Sequence, residues 1–514
     1  MRRDALRRRR RALRARQQGG APGRPRRRRA RDGREGGSRP AGHGRGDQGH
    51  RQPHPRRHGP ARLLALPLHG PPVRVEHRRG HRRARRPQGR RDGRGEARAG
   101  GRAVSGPLEG VRVLDLGTRI AAPFCAGLLG EQGAEVIKIE QPRTGDFMRD
   151  IGPFVTPTST DDATAGVTAG GPGYSLFWAV EGRGRRSVTL DLRTAEGQDV
   201  FRRLAATADV VVENFRPGTL EGWHIGPGDL DPRLVVVRIS MFGQDGPYAE
   251  RGGLDRVGIG YGGLLHLTGY PDRPPVRVGV TISDYLTGVF AAQTAVSALY
   301  ARDARRTGEG AIIDAALYGS VLRILEWTLP AYERLGVVRT REGNRLANSA
   351  PLDNYPAADG KYVCIVAGSD ANFTRLCAAM ERPDLLEDPR FTRLADRAAH
   401  NDAINGIVAE WTSTLPAHEV EARCIAHDVP VATAYTAADI FADPHMQARG
   451  DLVTVDDPVV GPLRQQAPYP RRVGEPVVAP SGAPRLGEHT DEVLGELLGL
   501  TPQEIARLHE ERIV

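Results

Sequence analysis

From residue 106 onward, apolar runs alternate with amphipathic stretches. Residues 111–116, 134–140, 209–213 and 234–240 are dominated by Val, Ile and Leu with few interruptions. Such runs predict strands covered on both faces, as in parallel sheets. Residues 187–192 predict a shorter extended segment. Between them, residues 122–130 and 194–206 carry helical spacing, and Thr194 stands where an N-cap belongs. A long helix of small residues is predicted from 289 to about 302. After the turn Gly308-Glu309-Gly310, residues 312–317 read as a strand passing into a helix. This strand–helix rhythm predicts a mostly parallel, doubly wound α/β sheet.

Further along, residues 340–357 are polar with prolines and predict a linker. Residues 360–367 predict a strand that opens a second α/β cluster reaching about 430. Residues 429–432 open a return segment, and 490–509 predict a helical tail. The division expected is a large domain over 106–330 and 431–514, with a linker and small domain over 331–430. Residues 152–173 are rich in Thr, Gly and Pro and predict a mobile loop. The string Gly258-Ile259-Gly260-Tyr261-Gly262-Gly263 matches the spacing of a dinucleotide-binding turn, but it does not follow a strand. Its small residues are read as allowing close helix packing.

Charge divides the chain near residue 105. Residues 1–105 hold 34 Arg, no Lys and 7 acids, a balance of +27, and no Phe, Trp or Tyr. The rest holds 40 basic residues against 55 acids, a balance of −15. The overall +12 therefore describes no single folding unit. The first segment has too little apolar surface to offset chain entropy, which predicts a disordered extension. Such a bias is also what a start codon read too far upstream in a GC-rich gene would give. Only Lys138 and Lys361 are lysines in the whole chain. An Arg-rich arm binding nucleic acid or acidic membranes is the competing reading. A transit peptide fits less well, since the segment is neither amphipathic nor Ser-rich.

Cys125, Cys364, Cys377 and Cys424 are scattered, without metal-ligand spacing, and read as small core residues. That usage fits a reducing cytoplasm. No apolar run approaches the ~20 residues of a membrane-spanning helix.

One carboxylate stands out. Asp284 follows the β-rich run 275–283 and opens the small-residue helix. An acid there can cap the helix, or present its oxygens to a cleft, or both.

Six blocks along 106–514 resemble the class III CoA-transferases, the family of formyl-CoA and carnitine CoA-transferases. They are Gly106-Pro107-Leu108-Glu109-Gly110-Val111-Arg112-Val113-Leu114-Asp115; residues 133–140 followed by Gly145-Asp146; residues 186–192; Asp209-Val210-Val211-Val212-Glu213-Asn214-Phe215-Arg216-Pro217-Gly218; residues 443–450; and residues 486–494. The resemblance implies a Rossmann-like large domain formed by both chain ends plus a smaller α/β domain, in an interlocked homodimer. It implies a reaction between an acyl-CoA and a carboxylic acid, with no metal or other cofactor beyond the coenzyme A thioester. Asp284 would be the catalytic nucleophile. Carried over by position, Ile120, Ala121, Leu190, Arg193, Asn214 and Phe215 would bind CoA, with Arg193 suited to phosphate. Residues 258–263 are a candidate source of oxyanion donors.

There are departures. A basic residue common after the second-strand glutamate is Gln141 here, and another past Asn214-Phe215 is Gly222; Arg143, Arg185 or Arg216 would compensate. The Gly-rich lid of formyl-CoA transferases has no counterpart near 340–357, which counts against formyl or oxalyl substrates. The α-methylacyl-CoA racemases share this fold but need a His where Leu254 stands, and Leu254 cannot carry a proton.

Overall fold

The computed structural model describes residues 106–156 and 173–514. The Arg-rich extension and most of the loop expected at 152–173 lie outside the described residues.

Six strands form one sheet: β1 (Arg112–Asp115), β2 (Glu135–Glu140), β3 (Arg186–Thr189), β4 (Val210–Glu213), β5 (Val235–Ser240) and β6 (Ala311–Ala316). Every pairing is parallel. Across the sheet the order is 3-2-1-4-5-6, that of doubly wound nucleotide-binding folds. Val113 of β1 pairs with Val136 on one side and Val210 on the other. The β-branched runs suit this position, since both faces are covered.

Successive residues of each strand feed opposite faces. Val113, Val136, Val210, Val235 and Val237 pack with α1 (Ala121–Glu131) and α4 (Ile282–Asp303) through Cys125, Leu129, Ala291, Ala295 and Leu299. Leu114, Ile137, Val211 and Val236 pack on the other face with α2 (Ala195–Ala205). Thr194 caps α2, its Oγ accepting from the Gly197 N–H. That second face also takes Val493, Leu494, Ile505 and Leu508. Both ends of the described chain therefore build the large domain. The tail is two helices, Thr490–Leu498 and Pro502–Glu510, rather than one. Gly499 turns left-handed at φ 67°, and Thr501 restarts the chain with a capping box to Glu504.

The smaller domain is built on an antiparallel sheet of β7 (Leu352–Pro356), β8 (Tyr362–Val366) and β9 (Val431–Thr433), with β8 in the middle. Helices Asp370–Ala379, Asn401–Thr412 and Ala417–Ala426 cover it around Val363, Ile365, Phe373, Ile404 and Val420. Val363 pairs with Thr433, so this sheet extends three residues past 430.

The run at 275–281 is not a strand. Pro274 and Pro275 remove two backbone donors, and Val276 and Val280 lie exposed in irregular chain. Asp284 thus opens α4 from a loop.

Candidate active site

A helix following a parallel strand runs back along the sheet, so the first turn of α4 lies at the carboxyl ends of the strands. Ligands of doubly wound sheets bind at that edge, where the strand order reverses. Here the reversal falls between β1 and β4. A cavity of about 220 Å³ opens there, lined among others by Thr118, Lys138, Gln141, Leu190, Arg193, Phe215 and Trp223.

Buried charges hold the cavity floor. Lys138 is paired with Asp146 at 2.9 Å, lies 3.7 Å from Asp115, and donates to the Gly117 carbonyl. Burial disfavours its ammonium, but Asp115, Asp146 and Glu140 outweigh that and hold it above the ordinary lysine range. Arg149 forks onto Glu140 at 2.8 Å and reaches the Pro484 carbonyl at 3.2 Å. A buried pair that lost one partner would leave an uncompensated charge, so breaking this network is costly. Asp146 extends it to the rim, accepting from the Arg119 N–H at 3.0 Å and the Thr118 hydroxyl at 3.2 Å.

Leu190, Arg193 and Phe215 line the cavity. Arg193 is exposed and already forked onto Asp191 at 2.7 and 2.8 Å. Phe215 meets Trp223 edge-on at 5.2 Å. Asn214 stands behind the wall rather than in it. Its amide donates to the Thr118 carbonyl at 2.7 Å and its oxygen accepts from the Thr118 N–H at 2.9 Å, strapping the loop after β1. Ile120 stands at the N-cap position of α1 and Ala121 begins it; both are buried, and neither lines the cavity. Arg185 is unavailable to a ligand: it is buried against Asp115 at 2.6 Å. Arg143 stays exposed; the Arg193 fork first, and the charge of Arg143 with it, hold the pKa of Asp191 in the cavity lining below its ordinary value.

Asp284 sits in the first turn of α4. It does not cap the helix. The acceptor for the Ser283 N–H is Asp255, at 2.9 Å, and Asp255 also accepts from the Ser283 hydroxyl at 2.9 Å. Among the described residues no hydrogen-bond donor reaches the Asp284 carboxylate. Burial, then the charge of Asp255, raise its pKa to about 7 from 3.8, against a lowering by Arg119. One turn on, Gly288 lets α1 touch α4: a Cβ there would lie 3.0 Å from the Ala121 carbonyl and 2.9 Å from Phe124. Phe124 meets Tyr285 edge-on at 4.8 Å. The Tyr285 hydroxyl donates to Glu181 at 2.9 Å, and burial raises the Glu181 carboxyl above its usual range.

The glycines at 258–263 do not offer free donors. Gly258, Gly262 and Gly263 give their N–H groups to Leu254, Gly258 and Gly260. They serve packing, since a Cβ on Gly258 would lie 2.7 Å from the Ser283 hydroxyl. Sequence reasoning passed over Asp255, Glu181, Trp223 and Arg119. Asp255 opens a helix of its own, α3 (Asp255–Tyr261), and nothing along the chain signals that it reaches Ser283.

The family model for CoA-transferase family III matches residues 108–490. The chain belongs to CoA-transferase family III. This CoA-transferase is 40% identical over 411 residues to a succinyl-CoA–D-citramalate CoA-transferase of Chloroflexus aurantiacus, covering 79% of this chain and 98% of that one. It is 37% identical over 399 residues to a succinyl-CoA:mesaconate CoA-transferase of Haloarcula hispanica, covering 76% and 96%. Among solved structures it resembles a CAIB/BAIF family protein from Brucella suis, with TM-score 0.67 and 34% identity over 76% of this chain and 99% of that one. The six-block resemblance thus stands, and the CoA-transferase is an enzyme of that kind.

Proposed function

We propose that this enzyme moves CoA from succinyl-CoA to a second carboxylic acid through covalent intermediates on Asp284. The observation that carries this is the Asp284 carboxylate itself: half-buried, in the first turn of α4, and without a hydrogen-bond donor among the described residues. A pKa raised to about 7 by burial makes the ionised form a stronger nucleophile than an exposed carboxylate. The succinyl donor is proposed from the relatives named for it.

An Asp284 oxygen attacks the thioester carbonyl, the C–S bond breaks, and CoA leaves as thiolate from a mixed anhydride. The thiolate attacks the Asp284 carbonyl, releasing the first acid and leaving an aspartyl-CoA thioester. The acceptor carboxylate attacks that thioester, and the returning thiolate then takes the new acyl group and frees Asp284. Charge and atoms balance at each step, with the CoA thioester as the one coenzyme required. The positive N-terminal end of α4 favours the oxyanion at each tetrahedral stage. Holding thioester and carboxylate in contact supplies the effective concentration a weak nucleophile needs.

The nucleotide is assigned to the cavity, with Leu190, Phe215 and Trp223 against the base and Arg193 and Arg143 toward phosphate. Ile120 and Ala121 would meet the pantetheine arm, and Asn214 would hold their loop. A homodimer is proposed from the apolar side chains left outside: Tyr300, Ile312, Trp327, Tyr332 and Leu335 are all more than half exposed. Among the described residues no helix is long and apolar enough to cross a membrane, and the four free thiols fit the cytoplasm proposed for the enzyme.

The test is intact-protein and peptide mass spectrometry after incubation with succinyl-CoA, with hydroxylamine to trap the adduct. Succinyl or CoA mass is expected on the peptide containing Asp284, and neither mass nor turnover in Asp284→Ala. Turnover without any adduct, or full activity in that variant, overturns the proposal.

A further inference from the structure

Arg119 is a non-glycine residue in the left-handed region, at φ 68°, as is Arg143 at φ 69°. That conformation costs a side-chain-bearing residue about 1 kcal/mol or more. The surroundings enforce it: its N–H donates to the buried Asp146, and the neighbouring Thr118 is strapped by Asn214. Glycine would adopt this turn without strain, so the guanidinium is what the position retains. Left-handed backbone turns the side chain out of the direction its neighbours follow. It comes to rest with Cζ 3.9 Å over the ring of Phe147, the residue that follows Asp146.

The guanidinium makes no hydrogen bond or ion pair among the described residues. Other half-buried or buried arginines around it differ. Arg149 and Arg185 are paired with Glu140 and Asp115, Arg183 with Glu131. Arg119 is held by a ring face and a fixed backbone, with its donors unused. It also sits at the right place. It lies between Thr118, which lines the cavity, and Ala121, whose carbonyl abuts α4 at Gly288, one turn from Asp284. Its charge is felt at Asp284.

We propose that Arg119 sets the substrate class: its guanidinium takes the remote carboxylate of a short dicarboxylic acid while the near carboxyl group exchanges at Asp284. An unpaired, pre-positioned fork suits a carboxylate in two-point contact. The cation–π contact fixes the fork without occupying its N–H groups. A monocarboxylic acid of the same length would leave the cation facing an apolar chain end, and that mismatch is the source of discrimination. The inference rests on the reading of Asp284 as the acyl carrier.

The test compares isotopically labelled succinate with butyrate as acceptors of CoA from unlabelled succinyl-CoA, in the parent enzyme and in Arg119→Gln and Arg119→Lys. The parent should favour succinate in kcat/KM. In Arg119→Gln the ratio of succinate to butyrate should fall at least tenfold, chiefly through KM for succinate, and Arg119→Lys should recover part of it. A merely structural role would lower both acids alike and leave the ratio unmoved. An equal loss for both acids, or a parent without preference, overturns the assignment of Arg119. If Asp284→Ala transfers CoA as well as the parent, it is the mechanism that has failed, whatever the ratio does.

Discussion

Replacing Asp284 with Asn should make the protein more stable and inactive. The folded chain holds the Asp284 proton to about pH 7, against 3.8 for an ordinary aspartate. A group whose folded pKa is raised binds its proton more tightly in the native state, so ionising it weakens the fold. The penalty is absent below 3.8, grows between the two values, and is complete above about 7. Roughly three decades of proton affinity correspond to about 4 kcal/mol. Asp284 is only half-buried, and solvent screening brings the expected figure nearer 2 kcal/mol. Asn keeps the shape and cannot ionise. At pH 8 the variant should melt about 2 °C above the parent, given the entropy of unfolding of a chain this size. At pH 5 less than half of that gain should remain. Thermal unfolding followed by near-ultraviolet circular dichroism in matched buffers measures both. A variant no more stable than the parent at pH 8, or a gain equal at both pH values, would refute the burial argument.

Asp255→Asn removes the charge that helps raise Asp284 while keeping an oxygen for the Ser283 N–H; the rising limb of kcat/KM should move to lower pH, and a fixed or higher midpoint would contradict the coupling. Trp223→Ala strips one wall of the cavity, and calorimetry should find CoA binding weakened about tenfold, the upper range for one aromatic contact. A chain beginning at Gly106 should retain CoA transfer, since the family model matches residues 108–490; loss of activity on removing the Arg-rich segment would give that segment a role.

Strands β1, β2, β4 and β5 were legible because runs rich in Val, Ile and Leu, with few charged interruptions, have few places to go except the middle of a parallel sheet. Thr194 was legible because capping is a local event. Asp284 stood out as an acid between an apolar run and a small-residue helix, and its position in the first turn of α4 agrees. The run before it misled. Val276, Val278 and Val280 alternate as a strand does, but the prolines and the lack of a partner leave that run irregular. The reach of Asp255 to Ser283, of Lys138 to the Gly117 carbonyl and of Asn214 to Thr118 are contacts across 21 to 96 residues, and no local pattern encodes such a meeting. Arg119 was hidden for a different reason: nothing in the residues around it announces a left-handed backbone.

The last strand of the main sheet ends at Ala316, yet one of its faces is covered by side chains from Val493 to Leu508. On the ribosome, a nascent chain that has just finished β6 therefore exposes Leu114, Ile137 and Val211 on that side until the far segment emerges. The intervening smaller domain can mature first, from its own contacts. Translation thus leaves a sticky, half-clad platform for many seconds, at the usual pace of synthesis of about 5–20 residues per second. Chaperone demand during production of this enzyme should be greatest in that interval, and it should fall in a circular permutant that makes the closing helices first.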